Sequence, residues 1–343
     1  MTDGDNVGAS LSNDAEKWLG LHVRGYEGPG LLRKFGFGQS NPTYRLSAAS
    51  GDYVLRRKPL GTLLPKAHAI EREFRVLGAL AATDVPVPRV YAYCEESAPI
   101  GAPFYVMEYV SGRIFYDQTL AGCSVAERAA IFDGMNEAVA RLHCVDPVAI
   151  GLATYGRPDN FLPRQIALWT QQYRANEGVP NEAMNCLIDW LPNHVPAEQP
   201  TRIFHGDLRL DNMIFHPSKP EVVGLIDWEL STLGDPVADF AYNAMLWRVG
   251  PDLFRGLAGL DLPSLGIPDE GQYVNRYCER VGRQNLPSWS FYLVFGLFRV
   301  AAILQGVWRR GVDGNAAAPD AMQVGARAAP LAAIAWTIAQ GSI

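Results

Sequence analysis

The chain has 343 residues, 48% of them hydrophobic and 19% charged, which is enough for one large domain or two smaller lobes around a sizeable core. Its formal net charge is −6, and with 12 acids balancing 12 bases up to Val110 the whole excess lies in the later part, which argues against nucleic acid as a partner. Five scattered cysteines without any C-x-x-C pair point to neither a disulfide framework nor a zinc site and fit a reducing cytoplasm.

The first ten residues, MTDGDNVGAS, are small, polar and acidic, the opposite of a signal peptide, and read as a frayed terminus. From Leu31 to Arg57 the chain alternates and turns: a glycine-containing loop at Gly36 to Gly38, then NPTYRL, a Ser-Gly-Asp turn, and YVLRR. This predicts three β-strand segments. Ile70, Phe74, Leu77 and Leu80 then fall at helical spacing, predicting one amphipathic helix, and RVYAYC and FYVMEYV, rich in β-branched and aromatic residues, read as two more strands.

After Ser111-Gly112 the texture becomes helical. Ser124-Val-Ala-Glu127 has the form of a capping box opening a long helix to about Cys144, and helical periodicity returns at 163–177, 236–247, 269–281 and 288–309. Short strand-like pieces, TRIFHGD, NMIFH and EVVGLIDW, are interposed. The apolar stretch from Phe291 to Trp308 is interrupted by Arg299 and Gln305, which predicts a buried amphipathic helix rather than a membrane span. The Ala-rich end from Asn315 to Ala339 reads as a terminal helix. The division expected is a strand-rich lobe over residues 1–110 and a helical lobe over residues 111–343.

The segment His205-Gly-Asp207-Leu-Arg209-Leu-Asp211-Asn212 is followed, fifteen residues after Asn212, by Asp227-Trp228-Glu229. Phosphoryl transfer needs a carboxylate to accept the proton of the acceptor hydroxyl, and oxygen ligands to hold Mg²⁺ against the phosphates. A loop between two short strands can supply all three: Asp207 as base, Asn212 and Asp227 as metal ligands. Any one of these residues alone reads as a turn or a strand-end cap; the ordered set points to chemistry.

This segment resembles the catalytic loop and metal-binding Asp of the aminoglycoside phosphotransferase and choline kinase superfamily, small-molecule relatives of protein kinases. The resemblance runs from about Leu31 to Trp308. HGDLRLDNMIF, GLIDWELSTLGDPVADFAY and PFYVMEYVSGRIF look most like the kinase-like domain at the front of acyl-CoA dehydrogenase family members 10 and 11 and its bacterial stand-alone relatives. It implies an α+β, two-lobed protein-kinase-like fold, with a small antiparallel-sheet lobe carrying one main helix and a larger, mostly helical lobe. It also implies ATP and Mg²⁺ as cofactors.

By the same resemblance Gly36, Gly38 and Ser40 belong to the loop that covers the phosphates, where glycines let backbone N–H groups approach phosphate oxygens. Arg56 stands where the family places a phosphate-binding Lys, with Lys58 two residues on as the other candidate, and Glu73 is its partner on the helix. The carbonyl of Glu108 and the N–H of Val110 would read adenine between the lobes. Arg209 either neutralises charge on the transferred group or is a solvated loop residue. His205 braces the loop or shuttles a proton, and Asp239 braces the loop; Asp235 caps a helix or faces substrate; Glu229 stands next to the metal or behind its ligands.

The function these readings give is an ATP- and Mg-dependent phosphotransferase acting on a hydroxyl of a small molecule, with no nucleic acid or membrane partner. The alternative is a pseudokinase that binds nucleotide with little turnover, motivated by Arg in place of Lys. The aromatics Tyr155, Phe161, Trp169, Tyr173 and Trp190 either line an acceptor pocket or, as helical spacing favours, form core.

Overall fold

The computed structural model describes residues 8–36, 41–60, 69–316 and 318–341. Its first part runs β1 (Ala9–Ser10), α1 (Asn13–His22), β2 (Leu31–Lys34), β3 (Thr43–Ala48), β4 (Gly51–Arg57), α2 (Ile70–Leu80), β5 (Val90–Cys94) and β6 (Phe104–Glu108). The six strands form one antiparallel sheet in the order β1-β2-β3-β4-β6-β5.

The period of two along β4 and β6 sorts their side chains onto two faces. Tyr53, Leu55, Phe104 and Val106 turn outward and pack with Leu46 against Leu19 and Val23 of α1 and the residue just beyond it. Val54, Tyr105 and Met107 turn the other way, into a core that includes Ile70, Val76, Leu77 and Leu80 of α2 and continues into the helical part. Arg56 shares this inner face, its Cα paired with Tyr105 across the sheet. The alternation that builds the sheet therefore also points a guanidinium inward.

The second part contains α3 (Val125–Cys144), α4 (Phe161–Ala175), α5 (Glu182–Trp190), β7 (Arg202–Phe204), β8 (Met213–Phe215), β9 (Val222–Leu225), β10 (Thr232–Gly234), α6 (Pro236–Ala244), α7 (Pro251–Phe254), α8 (Leu262–Leu265), α9 (Glu270–Arg280), α10 (Trp289–Val312), α11 (Ala321–Gly325) and α12 (Ala328–Ala339). Two antiparallel strand pairs, β7 with β10 and β8 with β9, sit among these helices. Helix α10 is long and apolar enough to cross a membrane, but 78% of its apolar window is buried by the surrounding protein, and it packs against α4, α6, α11 and α12.

Several expectations need correction. Helix α1 is a second helix in the sheet-rich part: Ser12 Oγ accepts the Ala15 N–H at 3.2 Å, a cap at the start of a segment too polar to show a strong apolar stripe. Ala9 and Ser10 are not frayed, because they pair with Leu32 and Leu31; residues 1–7 lie outside the described residues. Ser124 does cap α3, but Glu127 does not close the box, its carboxylate having gone to Arg113 at 2.6 Å. The Ala-rich end is two helices, α11 and α12, rather than one. Tyr155, Phe161 and Tyr173 are core, while Trp169 and Trp190 pack half-buried against it.

If α1 holds the outer face of the sheet, Leu19→Ala should lower the unfolding free energy by roughly 2–5 kcal/mol, read from urea denaturation. A change below about 0.5 kcal/mol, the usual size at an exposed position, would show that α1 does not cover the sheet.

Candidate functional site

Strand β7 ends at Phe204 and hands the chain to His205, Gly206 and Asp207. Gly206 has φ +87°, and a Cβ there would meet the Leu230 carbonyl oxygen at 3.0 Å, so the turn requires glycine. The turn is fixed from below by Asp239 on α6, whose carboxylate accepts the His205 N–H at 2.6 Å and the Gly206 N–H at 2.9 Å. Asp239 is fully buried, and its Oδ2 also lies 3.3 Å from His143 Nε2. Arg299 of α10 donates to the Gly206 carbonyl at 2.6 Å. Asp235 caps α6, accepting from Val237 N–H at 2.8 Å and from the Tyr292 hydroxyl at 2.9 Å, which resolves its two readings in favour of the cap.

His205 is buried and structural. Its Nδ1 accepts the Asp207 N–H at 3.2 Å, so Nε2 carries the proton donated to the Ile226 carbonyl at 3.1 Å. Burial lowers its pKa, against Asp239 and Asp207, and keeps the ring neutral. A second link runs from the Ile226 N–H to the Asn212 carbonyl at 3.0 Å. These two bonds place Asp227, the next residue, beside the loop that carries Asp207 and Asn212. Asp227 itself has φ 67° and ψ 62°, a left-handed conformation unusual for a residue with a Cβ, and such strain concentrates at functional sites.

The Asp207 carboxylate is surrounded by donors. Oδ1 accepts from the Tyr242 hydroxyl at 2.6 Å, and Oδ2 from Asn212 Nδ2 at 2.8 Å and Arg209 Nη2 at 3.2 Å. Arg209 Nε is also 3.0 Å from Oδ1, an ion-pair contact without hydrogen-bond alignment. Burial alone would raise this carboxyl, but Arg209, Tyr242, His205 and Asn212 outweigh it and hold it below the usual range. Arg209 reaches Asp211 as well, at 3.5 Å.

Facing this loop is the ion cluster on the inner face of the sheet. Arg56 Nε lies 2.9 Å from Glu73 Oε2, and Nη2 lies 3.0 Å from Asp227 Oδ1 and 3.5 Å from Glu229 Oε2. Glu73 also accepts from Asn41 Nδ2 at 2.9 Å and from the Tyr105 hydroxyl at 3.2 Å. Burial raises the Glu73 carboxyl to about 7, with Arg56 opposing and Asp227 and Glu229 adding to the rise. The surrounding carboxylates overcome the cost of burying Arg56 and hold it protonated. Lys58 pairs instead with the exposed Glu71 at 3.0 Å, which leaves Arg56 as the cation at this position.

The structure thus brings together Asp207, Arg209, Asn212, Asp227, Arg56 and Glu73. Glu108 is exposed at the end of β6, its N–H donating to the Arg89 carbonyl at 2.8 Å and its carboxylate accepting the Arg89 N–H at 3.2 Å. Val110 lies over Gly224 of β9, where an added Cβ would sit 3.7 Å from its Cγ1. Gly36 is an exposed bend at the end of β2, and Gly38 and Ser40 lie outside the described residues. Asn41, Tyr105, Tyr242 and Arg299 are contacts that sequence reading missed. Asn41 directly follows Ser40 of the phosphate-covering loop, whereas Tyr105 and Tyr242 carry no signal, since a tyrosine in an apolar strand or helix reads as core.

Could these residues hold Mg²⁺? Asn212 spends its Nδ2 on the carbonyl and the carboxylate of Asp207, which leaves the amide oxygen as its outward group. The Asp227 side chain is 34% exposed. An amide and a carboxylate oxygen are hard donors, and Mg²⁺ is commonly held by one or two carboxylates with phosphate and water completing the shell. The residues fit the ion.

The model of the phosphotransferase enzyme family matches residues 32–272. The chain belongs to that family. The chain is 48% identical over 334 residues to acyl-CoA dehydrogenase family member 10 of Mus musculus, covering 96% of the present chain but 31% of the relative. It is 40% identical to acyl-CoA dehydrogenase family member 11 of Rattus norvegicus, covering 92% of the chain and 42% of the relative. It therefore spans well under half the length of these curated relatives. A crystal structure from Ralstonia eutropha JMP134, described as a candidate aminoglycoside phosphotransferase, is 49% identical with a TM-score of 0.90, over 97% of this chain and 99% of that one. Aminoglycoside phosphotransferase APH(4)-Ia, in a ternary complex with ADP and hygromycin B, shares the fold at a TM-score of 0.58 and 15% identity, over 88% and 93% of the two chains. The two-lobed kinase-like architecture is thereby shown.

Asp239→Asn keeps one acceptor oxygen but leaves either the His205 or the Gly206 N–H buried without a partner. It should cost roughly 1–3 kcal/mol in urea denaturation; wild-type stability would mean that the loop is not held through these bonds.

Proposed function

We propose that this phosphotransferase transfers the γ-phosphoryl group of ATP, with Mg²⁺, to a hydroxyl group of a small molecule. One observation carries the reading: a half-buried Asp207, its carboxyl held below the usual range, is bonded to Asn212, which is joined through a single backbone hydrogen bond to the residue preceding Asp227. In this reading the hydroxyl oxygen of the acceptor bonds to the γ-phosphorus, the bridging oxygen leaves with ADP, and the hydroxyl proton passes to Asp207 and then to solvent. Bound Mg²⁺, held by Asp227 and Asn212, would offset negative charge on the phosphates.

Asp207 has about four acceptor sites on its two oxygens, and Arg209, Asn212 and Tyr242 fill most of them. Arg209 has the most exposed side chain of the first two, 30% against a buried Asn212, and its turning from the carboxylate toward the transferred phosphoryl group would open room for the acceptor hydroxyl. Arg56, paired to Glu73, lies where the family places its phosphate-binding cation. The phosphate-covering role of Gly36, Gly38 and Ser40 and the adenine-reading role of Glu108 and Val110 belong to the same proposal.

The names of the full-length relatives, acyl-CoA dehydrogenases, support a hydroxy acid or a hydroxyacyl-CoA as acceptor rather than a polycationic antibiotic. The contrary reading, a nucleotide-binding domain with little turnover, is favoured by the engagement of Arg56 with Glu73, Asp227 and Glu229, since a cation so committed must exchange partners to meet phosphate.

A coupled ADP-release assay with a panel of 4-hydroxy acids and their CoA thioesters separates the two. The proposal expects Mg-dependent turnover that falls at least about 10²-fold in Asp207→Ala. Nucleotide binding without turnover, in wild type and variant alike, would establish the non-catalytic reading.

A further inference from the structure

Helix α6 is buried at every position from Pro236 to Ala244, and most of its residues do what a core helix does. Tyr242 does something more. Its hydroxyl reaches out of the apolar surroundings to Asp207 Oδ1 at 2.6 Å, while Tyr242 itself is 7% exposed. Above its ring lies the guanidinium of Arg299, 5.2 Å from the centroid and 4% exposed. The same guanidinium lies over Trp169 at 5.4 Å and Phe204 at 5.7 Å. Arg299 is the charge that interrupts the apolar run of α10. It does not mark a solvated face: it is buried in an aromatic box and donates to the carbonyl of Gly206, next to Asp207 in the chain.

The donors around Asp207 differ in what holds them. Arg209 is on the loop itself and 30% exposed, and Asn212 is on the same loop five residues on. Among the described residues, Tyr242 is the donor that approaches from a separate, buried helix. If Arg209 turns toward a phosphoryl group, Oδ1 keeps its bond to Tyr242 and Oδ2 its bond to Asn212, so the carboxylate stays oriented while its more exposed side is uncovered. A hydroxyl whose pKa is raised by burial remains a donor throughout.

We infer that Tyr242 is a positioning residue for phosphoryl transfer, holding the Asp207 carboxylate from α6 while Arg299 of α10 fixes the Tyr242 ring and the loop behind it. This rests on the reading of Asp207 as the base. Tyr242 touches no reacting atom; it acts through Asp207.

The test is ADP release from MgATP, with water or the best hydroxylated acceptor, for wild type, Tyr242→Phe, Asp207→Asn and the double variant. Tyr242→Phe should lower kcat roughly ten- to a hundredfold, the size of a lost hydrogen bond to a charged group. KM for MgATP and ADP affinity by calorimetry should be unchanged. In the Asp207→Asn background, Tyr242→Phe should add no further loss, because its effect passes through the carboxylate. Incorporating 3-fluorotyrosine at 242, which keeps the ring and the hydroxyl, should restore most of kcat, and it serves as the readout if Tyr242→Phe folds poorly. Wild-type kcat in Tyr242→Phe, an equal loss in both backgrounds, or failure of 3-fluorotyrosine to restore kcat would overturn the inference. If Asp207→Ala leaves turnover intact, the base assignment itself fails; if Asp207→Ala abolishes turnover and Tyr242→Phe does not lower it, only the role of Tyr242 fails.

Discussion

The guanidinium of Arg56 joins three pieces of chain in one ion cluster. It sits on β4, reaches Glu73 on α2 and ends on Asp227 and Glu229, which follow β9. A cation this deeply buried is costly to desolvate, and what offsets the cost is the charge of the three carboxylates around it, although Nε makes no aligned hydrogen bond to Glu73. Removing one member would strand another: without Arg56 the Glu73 carboxylate would be left in the core with, among the described residues, Asn41 and Tyr105 as donors. The sheet is thereby registered to the helical part at the point where the candidate metal ligand emerges. Because β4 is a strand with period two, the residue that does this could face inward only with Val54 and Tyr105 beside it.

Around the loop from His205 to Asn212 a different economy operates. Nearly every bond there has a loop backbone group or the Asp207 carboxylate as one partner, and the groups that fix it come from elements on several sides. Asp239 and Tyr242 come from α6, Arg299 from α10, and Ile226 from the end of β9. A turn containing a glycine at φ +87° and facing a left-handed Asp227 would not hold its shape alone. The surrounding helices over-determine it. Tyr242, Asn212 and Arg209 converge on the Asp207 carboxylate; as the proposed base it would be well oriented but weak, and a loose transition state that releases the proton late asks for orientation more than for basicity.

Much of this was legible before any coordinates. The spacing of Asp207, Asn212 and Asp227 identified the loop because chemistry needs those groups in that order. The strand period of YVLRR and the helical spacing after Ile70 gave the elements, and the family resemblance paired Arg56 with Glu73 across them. What stayed hidden depends on contacts between segments distant in sequence. Strand β10, three residues of TLG, exists because β7 pairs with it. Helix α1 is too polar to announce itself and is held by the sheet face it covers. Glu127 could close a capping box by sequence, yet Arg113 competes for it successfully. Tyr242 sits in an apolar helix where periodicity predicts core, and only the fold reveals that its hydroxyl meets a carboxylate 35 residues away. Arg299 did give a signal, a charge within an apolar run, but a charge buried against a loop and a charge on a polar face look the same in one dimension.

The central claim is that the side chains of Asn212 and Asp227 converge on one divalent ion beside the triphosphate and the Asp207 carboxylate. The direct measurement is a crystal structure grown with Mg²⁺ and a non-hydrolysable ATP analogue. The account predicts an ion with oxygens of Asp227, Asn212 and the phosphates at about 2.0–2.1 Å, and Arg56 turned from Asp227 toward phosphate. A triphosphate bound elsewhere, or an ion that Asn212 and Asp227 do not share, would contradict it.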